Sequence, residues 1–219
     1  MQPLIAATLV AALLSLFAVP ASAGEHVTSG EPTSFERLAL SFEGLGVVNN
    51  RYGITGEYVL RPRDSITAMP WLATGHSSGP IDPVSFGEVQ TTYDVDFDGL
   101  GLDLQYRRYF GPWVGARGLF LAPGVDVSHF NVRGTSCDAT HGACEGSTRQ
   151  RFTYLGPTAD IGGQAIFGPG IVAGVSLGVR YRAVLDGHVS EEQLPWAWKL
   201  PHGPGFGVRA RLWLGFAFL

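Results

Sequence analysis

Three carboxylates recur at alternate positions in Asp94-Val95-Asp96-Phe97-Asp98, a spacing that places them together on one face of a strand. Grouped carboxylates are the donor set that hard cations take. The run also opens like a calcium-binding loop, but its twelfth position is Gln105 where a bidentate Glu is needed, and it continues into strand-like alternation. Asp94, Asp96 and Asp98 are therefore candidates for bridging divalent cations at the base of an acidic loop. The plain alternative is a solvated loop base.

Other groups with reactive side chains lack a setting. His188-Val189-Ser190-Glu191-Glu192 resembles the His, Ser and Glu combination of outer-membrane lipid A deacylases. Acyl transfer needs Ser, His and acid in one relay with an oxyanion site. Here the group lies in a polar loop beside Gly187, and Glu191 stands where that family's serine is followed by asparagine. Ser128 and His129 are adjacent, so a strand turns them to opposite faces. The six histidines show no zinc spacing, and Gly203, Gly205 and Gly207 lack the strand–turn–helix context of a nucleotide loop. No catalytic residue, resident metal or cofactor is assigned, and the chain is read as a non-enzyme.

Cys137 and Cys144 enclose the short loop Asp-Ala-Thr-His-Gly-Ala. In an exported chain, an even cysteine count at close spacing favours a disulfide. His141 between them raises a metal alternative that lacks a fourth ligand. Of the 15 basic residues all but Lys199 are arginine, and they are scattered through a chain of net charge −4. Nucleic-acid binding has no footprint in that pattern.

The elements that must carry these residues begin with an export signal. Leu4 to Val19 is an uncharged apolar run, and Ala21-Ser22-Ala23 is a small-x-small cleavage site before Gly24. Residues 1–23 read as a cleaved secretory signal, although the basic n-region is missing. A lone membrane anchor is the alternative, disfavoured by Pro20 and the absence of basic flanks. Residues 24–35 follow as a short flexible segment, and residues 36–219 as one domain.

That domain reads as strands. Val208, Ala210, Leu212, Leu214, Phe216 and Phe218 alternate with Arg209, Arg211, Trp213, Gly215, Ala217 and Leu219. One face is continuously apolar while the other begins with two arginines. After an export signal, the apolar face suits lipid and the charged face a barrel interior. Eight such segments are expected: 36–48, 51–60, 65–75, 96–110, 115–132, 151–167, 171–186 and 205–219. Tight proline-bearing turns follow the second, fourth and sixth, whereas long polar loops follow the third, fifth and seventh. Short turns at one end and long loops at the other are the pattern of outer-membrane barrels. Only Asn49-Asn50, after the first strand, is short for a loop. Glycine, 30 of 219 residues, is about twice its usual share, and barrels use it where walls bend and interiors crowd.

The fold class is thus all-β, an eight-stranded antiparallel up-and-down transmembrane barrel. Its interior is expected to hold Glu57, Asp103 and Asp160 with Arg107, Arg180, Arg182, Arg209 and Arg211, and Glu43 is a further candidate. Opposite charges at similar heights can pair there, and eight strands leave a lumen that side chains nearly fill. Tyr58, Phe110, Trp113, Phe167 and Phe218 near the turns, with Tyr52, Phe152, Tyr154 and Tyr181 near the loops, suit the two headgroup levels.

These segments, notably Arg51–Leu60, Gly99–Pro112, Asp160–Gln164 and the final strand, resemble small eight-stranded Gram-negative outer-membrane barrels of the OmpA, OmpX and OmpW type. The likeness is closer still to an uncharacterised barrel family of unknown function. The resemblance implies outer-membrane location, contact with lipids and lipopolysaccharide, and assembly by the barrel-insertion machinery, which reads a final aromatic strand. Here Leu219 follows Phe218, a departure from the terminal aromatic. The leading reading is an envelope-structural or surface-interaction barrel acting through its long loops, with an unknown extracellular partner. Rival readings are a narrow conduit for small or hydrophobic solutes, a lipid A-modifying hydrolase, and a soluble barrel with apolar faces turned inward.

Overall fold

The computed structural model describes residues 36–45, 50–80, 91–138, 144–186 and 205–218. The expected signal peptide (residues 1–23), the 24–35 segment, His141 and the His188–Glu192 group lie outside the described residues.

Alternating sequence becomes eight strands: β1 (Leu38–Glu43), β2 (Arg51–Arg61), β3 (Asp64–Pro80), β4 (Thr91–Phe110), β5 (Gly118–Asp138), β6 (Cys144–Phe167), β7 (Ile171–Asp186) and β8 (Gly205–Phe218). Each pairs antiparallel with the next. β1 closes the ring on β8, with Leu38 opposite Phe218 and Glu43 opposite Trp213. Closure satisfies the backbone groups that an open edge would leave unpaired.

The two faces are sorted inside out. On β8, Arg209, Arg211, Trp213 and Ala217 are buried, while Phe206, Val208, Leu214, Phe216 and Phe218 are exposed. On β2, Arg51, Thr55, Glu57 and Val59 are buried, and Tyr52, Ile54, Tyr58 and Leu60 are exposed. The exterior apolar surface has a defined height. On β8 it runs from Val208 through Ala210, Leu212, Leu214 and Phe216 to Phe218, whereas on β4 it runs from Leu100 to Tyr106 and gives way at the turn end to exposed Arg108. Ten residue steps at about 3.3 Å, tilted by roughly 40°, span about 25 Å. Beyond Leu100 the same outward face turns to Asp98, Asp96 and Asp94.

Three boundaries differ from the sequence reading. β1 ends at Glu43, short of the expected residue 48, and Gly44 still donates its amide to Leu212 O (2.8 Å) of β8; residues 46–49 lie outside the described residues. β5 starts at Gly118, since Gly115 (φ 84°) and Gly118 (φ 102°) hold left-handed turn geometry open to glycine at little cost. At the loop end β3 to β6 run past the apolar belt, and β5 and β6 reach 21 and 24 residues, about twice a membrane crossing.

The lumen is filled at both ends. Toward the loops, Met69, Trp71, Phe97, Phe130, Phe152 and Tyr154 form one apolar cluster; toward the turns, Tyr109, Phe120, Val172 and Trp213 form another. Phe152 and Tyr154 thus face inward, at 1% and 2% exposure, and do not belong to the headgroup girdle expected of them. Even-numbered β6 residues share the face of Thr158 and Asp160, and that parity overrides their position near the loops. Inward rings also lie over inward glycines directly across the ladder. Trp71 faces Gly101, Phe97 faces Gly75, Phe130 faces Gly99, Phe120 faces Gly162 and Trp213 faces Gly174. A methyl group on Gly99 would sit 2.4 Å from the Phe130 ring, so the missing side chain is the space the ring occupies.

Candidate functional site

Between the two apolar clusters the lumen holds charge. Nearest the turns, Glu57 accepts hydrogen bonds from Ser65 Oγ (2.5 Å), Tyr109 Oη (2.7 Å), Gln164 Nε2 (2.9 Å) and Arg107 Nη1 (3.1 Å). Arg107 lies between the rings of Phe120 and Trp213, 4.7 and 4.8 Å from their centroids. Such stacking suits a weakly hydrated, planar guanidinium.

At mid-height, Arg209 grips Asp160 with Nε to Oδ1 (2.7 Å) and Nη2 to Oδ2 (2.9 Å), and its Nη1 donates to Asp103. Gln105 Nε2 also donates to Asp160 (2.7 Å). Arg211 lies 3.3 Å from Glu43 Oε1 and 3.5 Å from Asp160 Oδ2. Bidentate, charge-assisted contacts like these can offset the desolvation of buried ions.

Above them, Arg182 Nε donates to Asp126 Oδ1 (2.8 Å), and both side chains are fully buried. Arg51 lies 4.4 Å over the Trp71 ring. Arg180 is on the same inward face and part-exposed, its side chain crossing Gly207. The interior charges anticipated from the sequence all lie on lumenal positions, Glu43 included. Arg51 and Asp126 were not anticipated. Arg51 is legible by counting back in twos from Glu57; the Pro123-Gly124 interruption obscures the alternation that places Asp126. Among the described residues the lumen carries the guanidiniums of Arg51, Arg107, Arg180, Arg182, Arg209 and Arg211 against the carboxylates of Glu43, Glu57, Asp103, Asp126 and Asp160, an excess of one positive charge.

Outside, at the loop end, His76 on β3 stands opposite Asp96 on β4. Its Nδ1 lies 3.1 Å from Asp96 Oδ1 and 3.4 Å from Asp94 Oδ1. Asp98 leaves this group and accepts from Asn131 Nδ2 (2.8 Å). The three carboxylates thus divide between two partners, and the histidine that joins them comes from a neighbouring strand. Farther out, the register sets Cys137 directly opposite Cys144.

At the turn end, outside the apolar belt, Asp64 accepts from Tyr106 Oη (2.6 Å) and from Arg108 Nη1 (2.6 Å). The Tyr106 hydroxyl, and then the Arg108 guanidinium, hold its carboxyl below the usual range.

No protein-family model matches the chain, and no curated protein matches it. Among solved structures, the chain is similar to CarO of Acinetobacter baumannii at 14% identity and a TM-score of 0.45, over 84% of this chain and 98% of that one. It is similar to CarO2 of the same organism at 14% identity and a TM-score of 0.41, over 84% and 100%. A major outer membrane protein from Thermus thermophilus aligns at 15% identity and a TM-score of 0.44, over 84% and 100%.

Proposed function

We propose that this chain is an integral outer-membrane barrel with a blocked lumen and a non-enzymatic role, working through its loop end in envelope structure or surface interaction. One observation carries the reading: the closed wall is apolar outside over about 25 Å and charged inside, as lipid requires and the reverse of what water would select. Tyr52 and Tyr181 toward the loops, and Tyr58, Phe110, Trp113 and Phe167 toward the turns, are all outward and exposed, which suits headgroup levels. At the loop end His76, Asp94 and Asp96 lie above the belt, where a divalent cation could join them to lipopolysaccharide phosphates.

The packed clusters at both ends of the lumen argue against a solute conduit. The test joins fractionation with conductance. The protein should stay with outer membranes after carbonate washing, run heat-modifiably on gels, and give no stable single-channel steps in a planar bilayer. Release into the soluble periplasmic fraction would refute the membrane reading. Stable open channels would restore the conduit.

A further inference from the structure

Arginines gather at the turn end, on the lipid-facing side of the wall. The ladders set Asp64 opposite Arg61 on one side and opposite Arg108 on the other. Paired residues share a face, so Arg61, Asp64 and Arg108 make one outward row. The next row toward the loops, about 7 Å along the strands, is Tyr58, Ile66 and Tyr106, all exposed. Arg63 follows in the turn, exposed like Arg61. Its carbonyl accepts the Tyr109 amide (2.8 Å), which draws the turn against β4.

The charges in this row do not balance. Asp64 accepts from Tyr106 Oη and Arg108 Nη1, each at 2.6 Å. The Tyr106 hydroxyl and the Arg108 guanidinium lead in holding its carboxyl low, and Arg61 adds to them from across the ladder. Glu36, the other acid outside the lumen at this end among the described residues, pairs with Arg117 (2.9 Å). Arg61, Arg63 and Arg108 thus have Asp64 alone to share among the described residues, an excess of two positive charges. Arg108 is also set among apolar side chains. It is half exposed, with Tyr106 before it and Phe110 after it on the same face, and Leu121 opposite it on β5, all exposed. On a wall facing lipid, such a guanidinium is stable where its stem carries the head to headgroup phosphates.

We infer that this row is a binding site for one anionic phospholipid of the turn-side leaflet, its phosphodiester held by Arg61 and Arg108 with Arg63 at the turn, and its acyl chains along Tyr58, Ile66 and Leu104. The inference rests on the membrane reading above. Planar guanidinium forks pair with phosphate oxygens, and basic residues at the membrane surface attract anionic lipid. The ammonium of a zwitterionic headgroup would bring a further cation to a row already short of carboxylate; a glycerol headgroup would not. The apolar row beside the arginines gives the lipid an advantage that a free phosphate lacks.

The experiment titrates phosphatidylglycerol, or phosphatidylethanolamine with the same acyl chains, into the full chain refolded in dodecyl maltoside. Native mass spectrometry counts the complexes, and the gel shift reports the folded barrel. A one-to-one phosphatidylglycerol complex is expected, about tenfold tighter than the phosphatidylethanolamine one. Arg61→Gln leaves the Arg108–Asp64 contact in place and should weaken the complex about tenfold, the loss of one charge-assisted contact. Asp64→Asn removes the carboxylate that competes for Arg108 and should tighten it. Arg149→Gln, at the loop end, should bind as the parent does. Equal affinity for the two lipids in a heat-modifiable barrel would overturn the site and leave the membrane reading standing, and so would unchanged affinity in Arg61→Gln. Displacement of the lipid by an equal concentration of glycerol phosphate would also overturn it, making the row a site for phosphate alone. A parent chain without the gel shift would refute both readings.

Discussion

Replacing Arg209 with methionine removes three charge-assisted contacts and keeps much of the side-chain volume. Asp160 would lose both bonds at 2.7 and 2.9 Å, retaining Gln105 at 2.7 Å and Arg211 at 3.5 Å. Asp103 fares worse. It would keep only Arg211, 3.9 Å away, and its Oδ1 already lacks a hydrogen-bond partner among the described residues. Two buried carboxylates would then share one remaining arginine, itself engaged by Glu43. Orphaning one member of a buried pair costs about 3–5 kcal/mol, whereas Arg149→Ala on the exposed wall should stay within about 0.5 kcal/mol. Folding equilibria in lipid vesicles, from urea titration with tryptophan emission and the gel shift of the folded form, would measure both. The reasoning makes a second demand. If the penalty is uncompensated negative charge, adding Asp103→Asn to Arg209→Met should recover part of the loss, so the pair is less harmful than the sum of its parts. An Arg209→Met loss no larger than that of Arg149→Ala, or a double variant with strictly additive losses, would refute this account of the lumen.

The glycine–ring fit gives a steric prediction: Gly99→Ala should cost about 1–3 kcal/mol by overpacking, and Phe130→Leu in the same chain should return part of it; a neutral Gly99→Ala in the same urea titration would show slack around the ring. For the loop end, Cys137→Ser with Cys144→Ser should leave assembly and heat-modifiability intact yet raise protease cleavage between residues 133 and 149 on whole cells. If Cys137 and Cys144, opposite in register, form a bridge, so short a loop constrains about 2–3 kcal/mol of chain entropy, little beside a closed ladder, and failed assembly would make the pair structural instead. At the turn end, the lowered Asp64 carboxyl favours the fold when ionised, so its contribution is present at neutral pH and lost as pH falls through the carboxylate range. Asp64→Asn should therefore destabilise modestly at pH 7 and progressively less as pH falls below the usual carboxylate range, and an effect independent of pH would place the role outside ionisation.

The barrel's wall was legible because it needs only parity. Once Arg209 and Arg211 are assigned inward, every second residue of β8 follows, and the same count works on β4 and β7. Where parity and position along the strand conflict, parity decides the face. Phe152 and Tyr154 share the parity of Asp160, yet closeness to the loops suggested the lipid surface. Arg51 shares the parity of Glu57 and with it the lumenal face. Strand ends were less legible at the loop side, because beyond the outer apolar belt the sense of the alternation reverses: in the Asp94–Asp98 run the carboxylates face out while Val95 and Phe97 are buried in the lumenal cluster.

What parity cannot supply is register, and the site depends on it. His76 meets Asp96 because β3 and β4 pair with that offset; the histidine is 20 residues away, and a shift of two would separate them while preserving every inward and outward assignment. The same holds for the five rings that lie over glycines. A sequence count shows too many glycines for an ordinary domain, but only the ladder shows each as the counterpart of a particular ring. This gives glycine a second part beside turns and bends. Phe130 still faces Phe152 and Phe120 still faces Tyr109 across the ladder, so for those two rings the glycine leaves space on the opposite flank, at Gly99 and Gly162. Gly205 and Gly207 break that pattern: the β7 residue opposite each is an arginine, Arg182 and Arg180 respectively, and no ring covers them among the described residues. At Gly207 the Arg180 side chain takes the place that a ring takes over the other glycines.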